Sequence, residues 1–330
     1  MKKRIWRGVF FLGILFTCVC IGSSGSWAAD KEYPTRSIDN ICLFGAGGQS
    51  DQFNRILSRS LEKHLGVPVV TVNKPGGGGA IGFSYLAHSR PDGYTIGIGT
   101  LENMIVPTLQ GNPYALEDLH IISQIATVFN VIIVAADAPW KTFQEFVDYA
   151  RKNPGLKYGS PQKRSTVYLR MESFNRNAKL GMVGVPFDSG KDVITSVLGK
   201  HIPVGIADVG GTKGLAAAGQ LRVLFCFEAP AAAGLDPSTP SLTDFDRDVS
   251  DNDIDISHLL VVPAKTPDAV KQILKQTMAE KVMKDPAFLK DLKNMNLMPN
   301  YVDGETIVQK RLPKRKAQVT EFYKEMGWLK

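Results

Sequence analysis

A glycine-rich loop at residues 44–51 is the segment of this sequence best suited to binding an anion. An apolar run typical of a buried strand precedes it at residues 38–43, and apolar residues recur at helical spacing over residues 51–65. A glycine turn that opens a helix presents unpaired backbone N–H groups at the positive end of the helix dipole, and both attract a carboxylate or a phosphate. The alternative is an ordinary strand-to-helix turn in which Ser50 or Asp51 caps the helix.

A second glycine tract resembles a dinucleotide-binding loop only in its spacing. Residues 77–82 match G-x-G-x-x-G between an expected strand and an expected helix. A nicotinamide site also needs an acidic residue at a strand end about twenty residues later, but Asp92 stands in a Pro-Asp-Gly turn. The sequence also lacks a Walker A motif and the G-x-S-x-G, C-x-x-C and H-E-x-x-H motifs. We therefore expect no catalysis, no cofactor and no metal.

The first residues have the features of an export signal. Four basic residues precede an apolar run at residues 9–21, and Ser26-Trp27-Ala28 fits a signal-peptidase site. We predict a signal peptide at residues 1–28 and a periplasmic mature protein from Ala29; a lipid on Cys18 or Cys20, or an uncleaved anchor, is the alternative. Cleavage removes four basic residues and lowers the formal net charge from +7 to +3. Since no Lys/Arg tract remains, we expect no nucleic-acid partner.

Strand-like and helix-like runs alternate along the mature chain, which is long enough for two domains. This alternation predicts an α/β fold with mainly parallel sheets. From Pro267 onward the pattern predicts a helical tail with breaks near Pro286 and Pro299. Cys42 and Cys226 lie in apolar runs, which predicts buried free thiols, with a disulfide as the alternative that export permits.

Eight segments, in order along nearly the whole mature chain, resemble one family. They are Tyr-Pro-Thr-Arg at residues 33–36, Phe-x-x-Gly-Gly-x-Ser-Asp at 44–51, Asn-Lys-Pro-Gly-Gly-Gly-Gly-Ala-Ile-Gly at 73–82, Pro-Asp-Gly-Tyr-Thr at 91–95, Asn-Pro-Gly-Leu-Lys-Tyr-Gly-Ser at 153–160, Val-Pro-Phe at 185–187, Gly-Gln-Leu-Arg-Val-Leu at 219–224 and Val-Pro-Ala-x-Thr-Pro at 262–267. The ordered set resembles the extracytoplasmic solute receptors of tripartite tricarboxylate transporters, the Bug receptors.

The resemblance implies a two-lobed periplasmic binding protein of the type II-like class, each lobe a mainly parallel sheet flanked by helices. Lobe 1 is expected at residues 29–130 and 257–330, and lobe 2 at residues 131–256. The implied function is capture of a small carboxylate (a di- or tricarboxylate, an acidic amino acid or an aromatic acid) in the cleft by a monomeric receptor. The implied partners are the membrane subunits of such a transporter. Alternatives are an adaptor for a sensor kinase, or a secreted enzyme on the same scaffold.

The resemblance maps the family's first anion-binding loop onto residues 44–51. It implies backbone N–H and hydroxyl contacts to the ligand from Gly47, Gly48, Gln49 and Ser50, a cleft wall formed by Phe44, and an Asp51 that caps the helix or orders a water. Thr100 and Asn103, at the end of the third strand, are candidate donors because ligands bind beyond the carboxyl ends of strands. Glu102 would repel a carboxylate, so it either points away or selects a ligand with an amine.

Lobe 2 departs from the family pattern. Where the family has a Gly/Ser-rich loop followed by His-Leu, residues 160–169 read Ser-Pro-Gln-Lys-Arg-Ser-Thr-Val-Tyr-Leu. Arg164 is either a bidentate carboxylate ligand or a solvated loop charge. The family's Val-Pro-Tyr-Lys-Gly becomes Val-Pro-Phe-Asp-Ser-Gly at residues 185–190, which replaces a hydroxyl and a cation with an acid. The candidate ligand-binding residues of this lobe are Ser160, Arg164, Ser165, Thr166, Phe187, Asp188, Ser189 and Asp208.

Overall fold

Two β-sheets flanked by helices make up the part of the chain that the computed structural model describes, which is residues 33–112, 114–163, 165–244, 254 and 256–329. The expected signal peptide and Arg164 lie outside these residues. Within them, no helix is long and apolar enough to cross a membrane.

The first sheet has six strands in the spatial order β11-β4-β10-β3-β1-β2. β1 pairs in parallel with β2 and β3, whereas β10 runs antiparallel to β3 and β4, and β11 runs antiparallel to β4. The strand bounds are β1 Ile38–Cys42, β2 Val69–Asn73, β3 Thr95–Gly99, β4 Leu119–Val128, β10 Ser257–Pro263 and β11 Leu297–Asp303.

The second sheet has five strands in the order β7-β6-β8-β5-β9. β6 pairs in parallel with β7 and β8, and β5 runs antiparallel to β8 and β9. The strand bounds are β5 Asn130–Ala135, β6 Lys157–Pro161, β7 Val183–Phe187, β8 Val204–Asp208 and β9 Leu221–Cys226.

The α/β prediction is confirmed, but the prediction of mainly parallel sheets is wrong, because both sheets are mixed. β4 belongs to the first sheet and ends at Val128, and β5 begins the second sheet at Asn130. β5 is the first strand of its sheet along the chain, and it runs antiparallel to both of its neighbours, β8 and β9. β10 likewise returns to the first sheet antiparallel to its neighbours. We call the two sheets with their helices the first and second lobes, and residues 127–130 the crossover.

Helices follow most strands. Their bounds are α1 Gln49–Leu65, α2 Ala80–Ala87, α3 Leu101–Leu109, α4 Phe143–Lys152, α5 Thr166–Asn177, α6 Gly190–Leu198, α7 Val209–Ala217, α8 Pro230–Ala233, α9 Asp268–Gln276, α10 Pro286–Asn294, α11 Gly304–Thr306 and α12 Leu312–Glu325. The expected helical tail is interrupted by β11, so Pro299 lies in a strand. β11 is an edge strand, where the missing N–H of proline is tolerated.

Each lobe has its own apolar core, and both cysteines are buried free thiols, as predicted. An aromatic cluster of Phe143, Phe146, Phe174 and Phe225 lies in the second lobe. Leu169 of α5 belongs to the second lobe but packs in the core of the first, in the apolar cluster that contains Leu43, Phe83 and Met104. α5 therefore joins the cores of the two lobes.

Candidate ligand-binding cleft

Five helices begin where strands end at the cleft between the lobes. α1 and α3 follow β1 and β3 of the first lobe, and α5, α6 and α7 follow β6, β7 and β8 of the second. Two cavities lie among these helix starts. One, of about 230 Å³, lies between α3 and α5 (the α3–α5 cavity), and the other, of about 410 Å³, lies between α1, α6 and α7 (the α1–α7 cavity).

The sequence-predicted residues divide between these cavities. The α1–α7 cavity is lined by five of them, Gly47, Gly48, Gln49, Ser189 and Asp208. The α3–α5 cavity is lined by four, Phe44, Asn103, Ser165 and Thr166. The remaining six described candidates line neither cavity: Ser50, Asp51, Thr100, Ser160, Phe187 and Asp188. Sequence reasoning thus found residues of both cavities but treated them as one site.

Asp51 fixes the shape of the glycine loop. Its side chain is only 2 % exposed. One carboxylate oxygen accepts hydrogen bonds from the Gly47 N–H and from Arg55 Nε, each at 2.9 Å, and the other accepts one from Asn73 Nδ2 at 2.9 Å. The Arg55 guanidinium holds the pKa of Asp51 at about 2, below its usual range, with help from the Gly47 and Asn73 donors. Because Gly47 donates to Asp51, its N–H is already engaged.

The amino terminus of α1 differs from those of the other four cleft helices. Side chains cap α3, α5, α6 and α7, where they accept backbone N–H groups of the first turn; the capping residues are Thr100, Ser165, Ser189 and Asp208. The N-cap of α1 is Gly48, and no side chain among the described residues caps this helix. The first-turn N–H groups of α1 therefore keep their capacity to bind an anion at the α1–α7 cavity.

A pair of threonines connects the lobes beside the α3–α5 cavity. Thr100, which caps α3, has its hydroxyl oxygen 3.3 Å from that of Thr166, the first residue of α5. Within the first lobe, Asn103 accepts a hydrogen bond from the Thr100 hydroxyl at 3.2 Å and donates one to the Gly78 carbonyl at 2.8 Å. The lobes are thus in contact at this point.

Glu102 lies in the first turn of α3, and its side chain forms an ion pair with Arg315 of α12. The Glu102 side chain is 2 % exposed. Arg315 balances the charge that was expected to repel a carboxylate ligand. Because the two residues are 213 positions apart in sequence, the partner had no local sequence signal.

Sequence reasoning also missed other residues that line the two cavities. Lys191 and Asn296 line the α1–α7 cavity, and Val106, Gln110 and Lys163 line the α3–α5 cavity. Lys191 could have been found from its position beside Ser189 at a helix start. Asn296 follows α10, far along the chain, and its place at the cleft depends on tertiary packing. Within the described residues, no group of three or more His, Cys, Asp and Glu side chains could hold a metal ion.

Residues 53–322 match the family model described as the tripartite tricarboxylate transporter family receptor. The chain belongs to this receptor family. The resemblance drawn from the eight sequence segments is therefore confirmed. Members of this family are periplasmic solute-binding receptors that serve transport, not enzymes.

Relatives and solved structures agree with this assignment. A Cupriavidus necator protein named "UPF0065 protein in gbd 5'region" is 30% identical over 284 residues, which cover 85% of this chain and 84% of that protein. A solved TctC solute-binding protein from Polaromonas is 26% identical with a TM-score of 0.72, covering 88% of this chain and 99% of that one. The R. palustris protein Rpa4515 with adipate is 24% identical and has the same fold, with a TM-score of 0.72 over 89% of this chain and 98% of that one. The predicted two-lobed binding-protein fold is confirmed.

Proposed function

We propose that this receptor captures a small carboxylate in the cleft between its lobes. The observation that carries the proposal is the amino terminus of α1, which lacks a side-chain cap and borders the α1–α7 cavity. Backbone N–H groups and the helix dipole at such a terminus favour an anion. The cavity volume, about 410 Å³, lies within the usual range of about 300–1,000 Å³ for small-molecule sites.

The surroundings of this terminus support a carboxylate. Lys191 lines the same cavity and supplies a positive charge. The Asp208 carboxylate, which would oppose an anion, accepts a hydrogen bond at 2.8 Å from the Gly211 N–H at the start of α7. The dicarboxylate adipate is bound by Rpa4515, a protein of the same fold. We propose residues 29–130 with 257–330 and residues 131–256 as the two lobes, with a signal peptide at residues 1–28 and a periplasmic mature protein.

Binding is tested by thermal unfolding of the mature protein against di- and tricarboxylates, acidic amino acids and aromatic acids, after any co-purified ligand has been removed. An acid at a hundredfold excess over its dissociation constant should stabilise the protein by about 2.7 kcal/mol. Each active acid is matched with its neutral amide, for example adipate with adipamide, and the amide should give no shift. If no acid raises the melting temperature, or if amides act equally well, carboxylate binding is wrong.

We further propose that the receptor delivers its ligand to the membrane subunits of a tripartite tricarboxylate transporter. The family assignment supports this partner. The test is uptake of the radiolabelled acid found in the binding screen, by cells with and without this receptor. Uptake should fall when only the receptor is removed; unchanged uptake would argue against a transport role.

A further inference from the structure

A buried arginine lies where the chain passes between the lobes. Arg170 of α5 is 1% exposed and is among the largest fully buried side chains. Its Nη1 group donates to Glu228 Oε1 at 2.5 Å and to Asn130 Oδ1 at 3.2 Å. The guanidinium also lies 4.5 Å from the centre of the Phe227 ring. A buried cation requires such partners, because desolvation of an unpaired charge is strongly unfavourable.

The partners of Arg170 lie at the ends of two neighbouring strands of the second sheet, and one of them, Asn130, is at the crossover. Asn130 is the first residue of β5, and Glu228 follows β9, the last strand of the second sheet before the chain returns to the first. The second oxygen of Glu228 accepts the Asn130 N–H at 3.0 Å, and the Asn130 carbonyl accepts the Phe227 N–H at 3.0 Å. Arg170 therefore fastens α5 to Asn130 at the crossover and to Glu228 beside it.

The same helix carries one wall of the cleft. Thr166 lies four residues, about one helical turn, before Arg170. It lines the α3–α5 cavity and contacts Thr100 of the first lobe. Arg170, Asn130 and Glu228 do not line either cleft cavity. The cleft contact of Thr166 and the buried cluster around Arg170 are thus joined by the same helix, α5.

One buried group in the cluster has no hydrogen-bond partner. The side-chain N–H group of Asn130 is buried and has no acceptor among the residues that the structure describes. An unsatisfied buried donor is uncommon in a settled interior.

We propose that Arg170 is a positioning residue that couples the relative placement of the two lobes to the position of α5 at the cleft. With the Arg170–Glu228–Asn130 contacts formed, the start of α5 is held against α3 and the cleft is closed at the threonine pair. When these contacts weaken, α5 is released and the cleft opens. The inference rests on the proposed function in one respect: the closed cleft is the state that would enclose a ligand.

The test measures closure without any ligand. Thr100 and Thr166 are replaced by cysteines, and the rate of disulfide formation with oxidised glutathione is followed by non-reducing gels and mass spectrometry. The 3.3 Å separation of the two hydroxyl oxygens suits a disulfide in the closed state. The native Cys42 and Cys226 thiols interfere little, since burial raises both pKa values, that of Cys226 to about 12.

The cross-linking rate is compared in Arg170→Lys, Glu228→Gln and Asn175→Ala backgrounds. Asn175→Ala is the matched control, because Asn175 is a buried residue of the same helix whose side chain bonds only the Met182 backbone in the second lobe. We expect the two cluster variants to lower the rate by about threefold or more, through a smaller closed population. The control should keep the parent rate even where its melting temperature falls equally.

Two outcomes would overturn the proposal. Equal rates in the parent, Arg170→Lys and Glu228→Gln proteins overturn it, and so does an equal loss in the Asn175→Ala protein. If Arg170→Lys does not fold by circular dichroism, Glu228→Gln decides, because it keeps an acceptor for the Asn130 N–H. Adding adipate forms a separate arm: failure to change the parent rate argues against adipate as a ligand, and the ligand-free comparison still decides the role of Arg170.

Discussion

Helix α1, on the first-lobe wall of the cleft, and helix α5, on the second-lobe wall, are held in place in opposite ways. In the first lobe, the buried carboxylate of Asp51 fixes the loop before α1 through partners nearby in sequence, and the helix terminus is left without a side-chain cap. In the second lobe, Ser165 caps α5, and the buried cation Arg170 fixes the helix through residues 40 and 58 positions away. The first-turn N–H groups of α1 are thus left without a side-chain acceptor, whereas α5 is both capped and fixed by a buried cation.

The largest effect is expected from removing the second-lobe cation. Arg170→Met leaves the Glu228 carboxylate, 11% exposed, without the cation that balances it. Breaking a buried ion pair from one side lowers the free energy of unfolding by about 3–5 kcal/mol. Urea unfolding followed by circular dichroism measures the change.

The double variant Arg170→Met/Glu228→Gln is the control for this effect. It removes both charges but keeps an acceptor for the Asn130 N–H, so part of the lost stability should return. If the unfolding free energy of Arg170→Met stays within about 1 kcal/mol of the parent value, the Arg170–Glu228 ion pair is not needed to hold α5.

The first-lobe carboxylate should have a smaller, pH-dependent effect. The pKa of Asp51 is lowered from 3.8 to about 2 by Arg55 and its other donors. The resulting stabilisation, about 2 kcal/mol, is fully present above pH 4 and is lost as the pH falls toward 2. Asp51→Asn should therefore be less stable than the parent at pH 7, and the difference should shrink between pH 4 and pH 2.

This measurement compares two proteins at each pH, so other carboxyl groups with lowered pKa values, such as Asp285 and Asp303, cancel in the difference. Unfolding midpoints in urea, taken from pH 7 to pH 2, give the curve. A constant difference between parent and variant across this range would mean that the Asp51 charge does not stabilise the loop.

Arg164 lies outside the described residues, so its role is predicted from the sequence alone. If its guanidinium binds the ligand carboxylate, Arg164→Ala should weaken binding by more than tenfold, or about 1.4 kcal/mol. Isothermal titration with the acid found in the screen measures this change, with Lys157→Ala as the control, because Lys157 is an exposed cation of the second lobe that lines neither cavity. Unchanged affinity would assign Arg164 to the solvated surface.

Features made by residues close together in the sequence could be predicted, and contacts between residues far apart in the sequence could not. The strand, glycine loop and helix at residues 38–65 were predicted because their pattern is local. The pairing of Glu102 with Arg315 and of Arg170 with Glu228 depends on chain topology, which local spacing does not encode. β11 was missed because Pro299 reads as a break, although an edge strand accepts it.

The difference between α1 and α5 can be tested at Gly48, because a substitution there can give α1 the side-chain cap that α5 already has. Gly48 has φ −76° and ψ 170°, as an N-cap residue does, and a Cβ there would lie 3.6 Å from the Gly45 carbonyl oxygen, an ordinary contact. Gly48→Asp should stabilise the protein by a few tenths of a kcal/mol, because its carboxylate caps α1. The same carboxylate should occupy the N–H groups proposed for the ligand and weaken binding by about tenfold.

Gly48→Ala separates the cap from the added side chain. It introduces the Cβ without an acceptor, so it should lower affinity much less than Gly48→Asp and give no gain in stability. Melting temperature and titration calorimetry on the same preparations measure both quantities. If Gly48→Asp gains stability and keeps its affinity, the terminus of α1 does not bind the ligand, and recognition must be sought at the α3–α5 cavity, where the described helix starts are already capped.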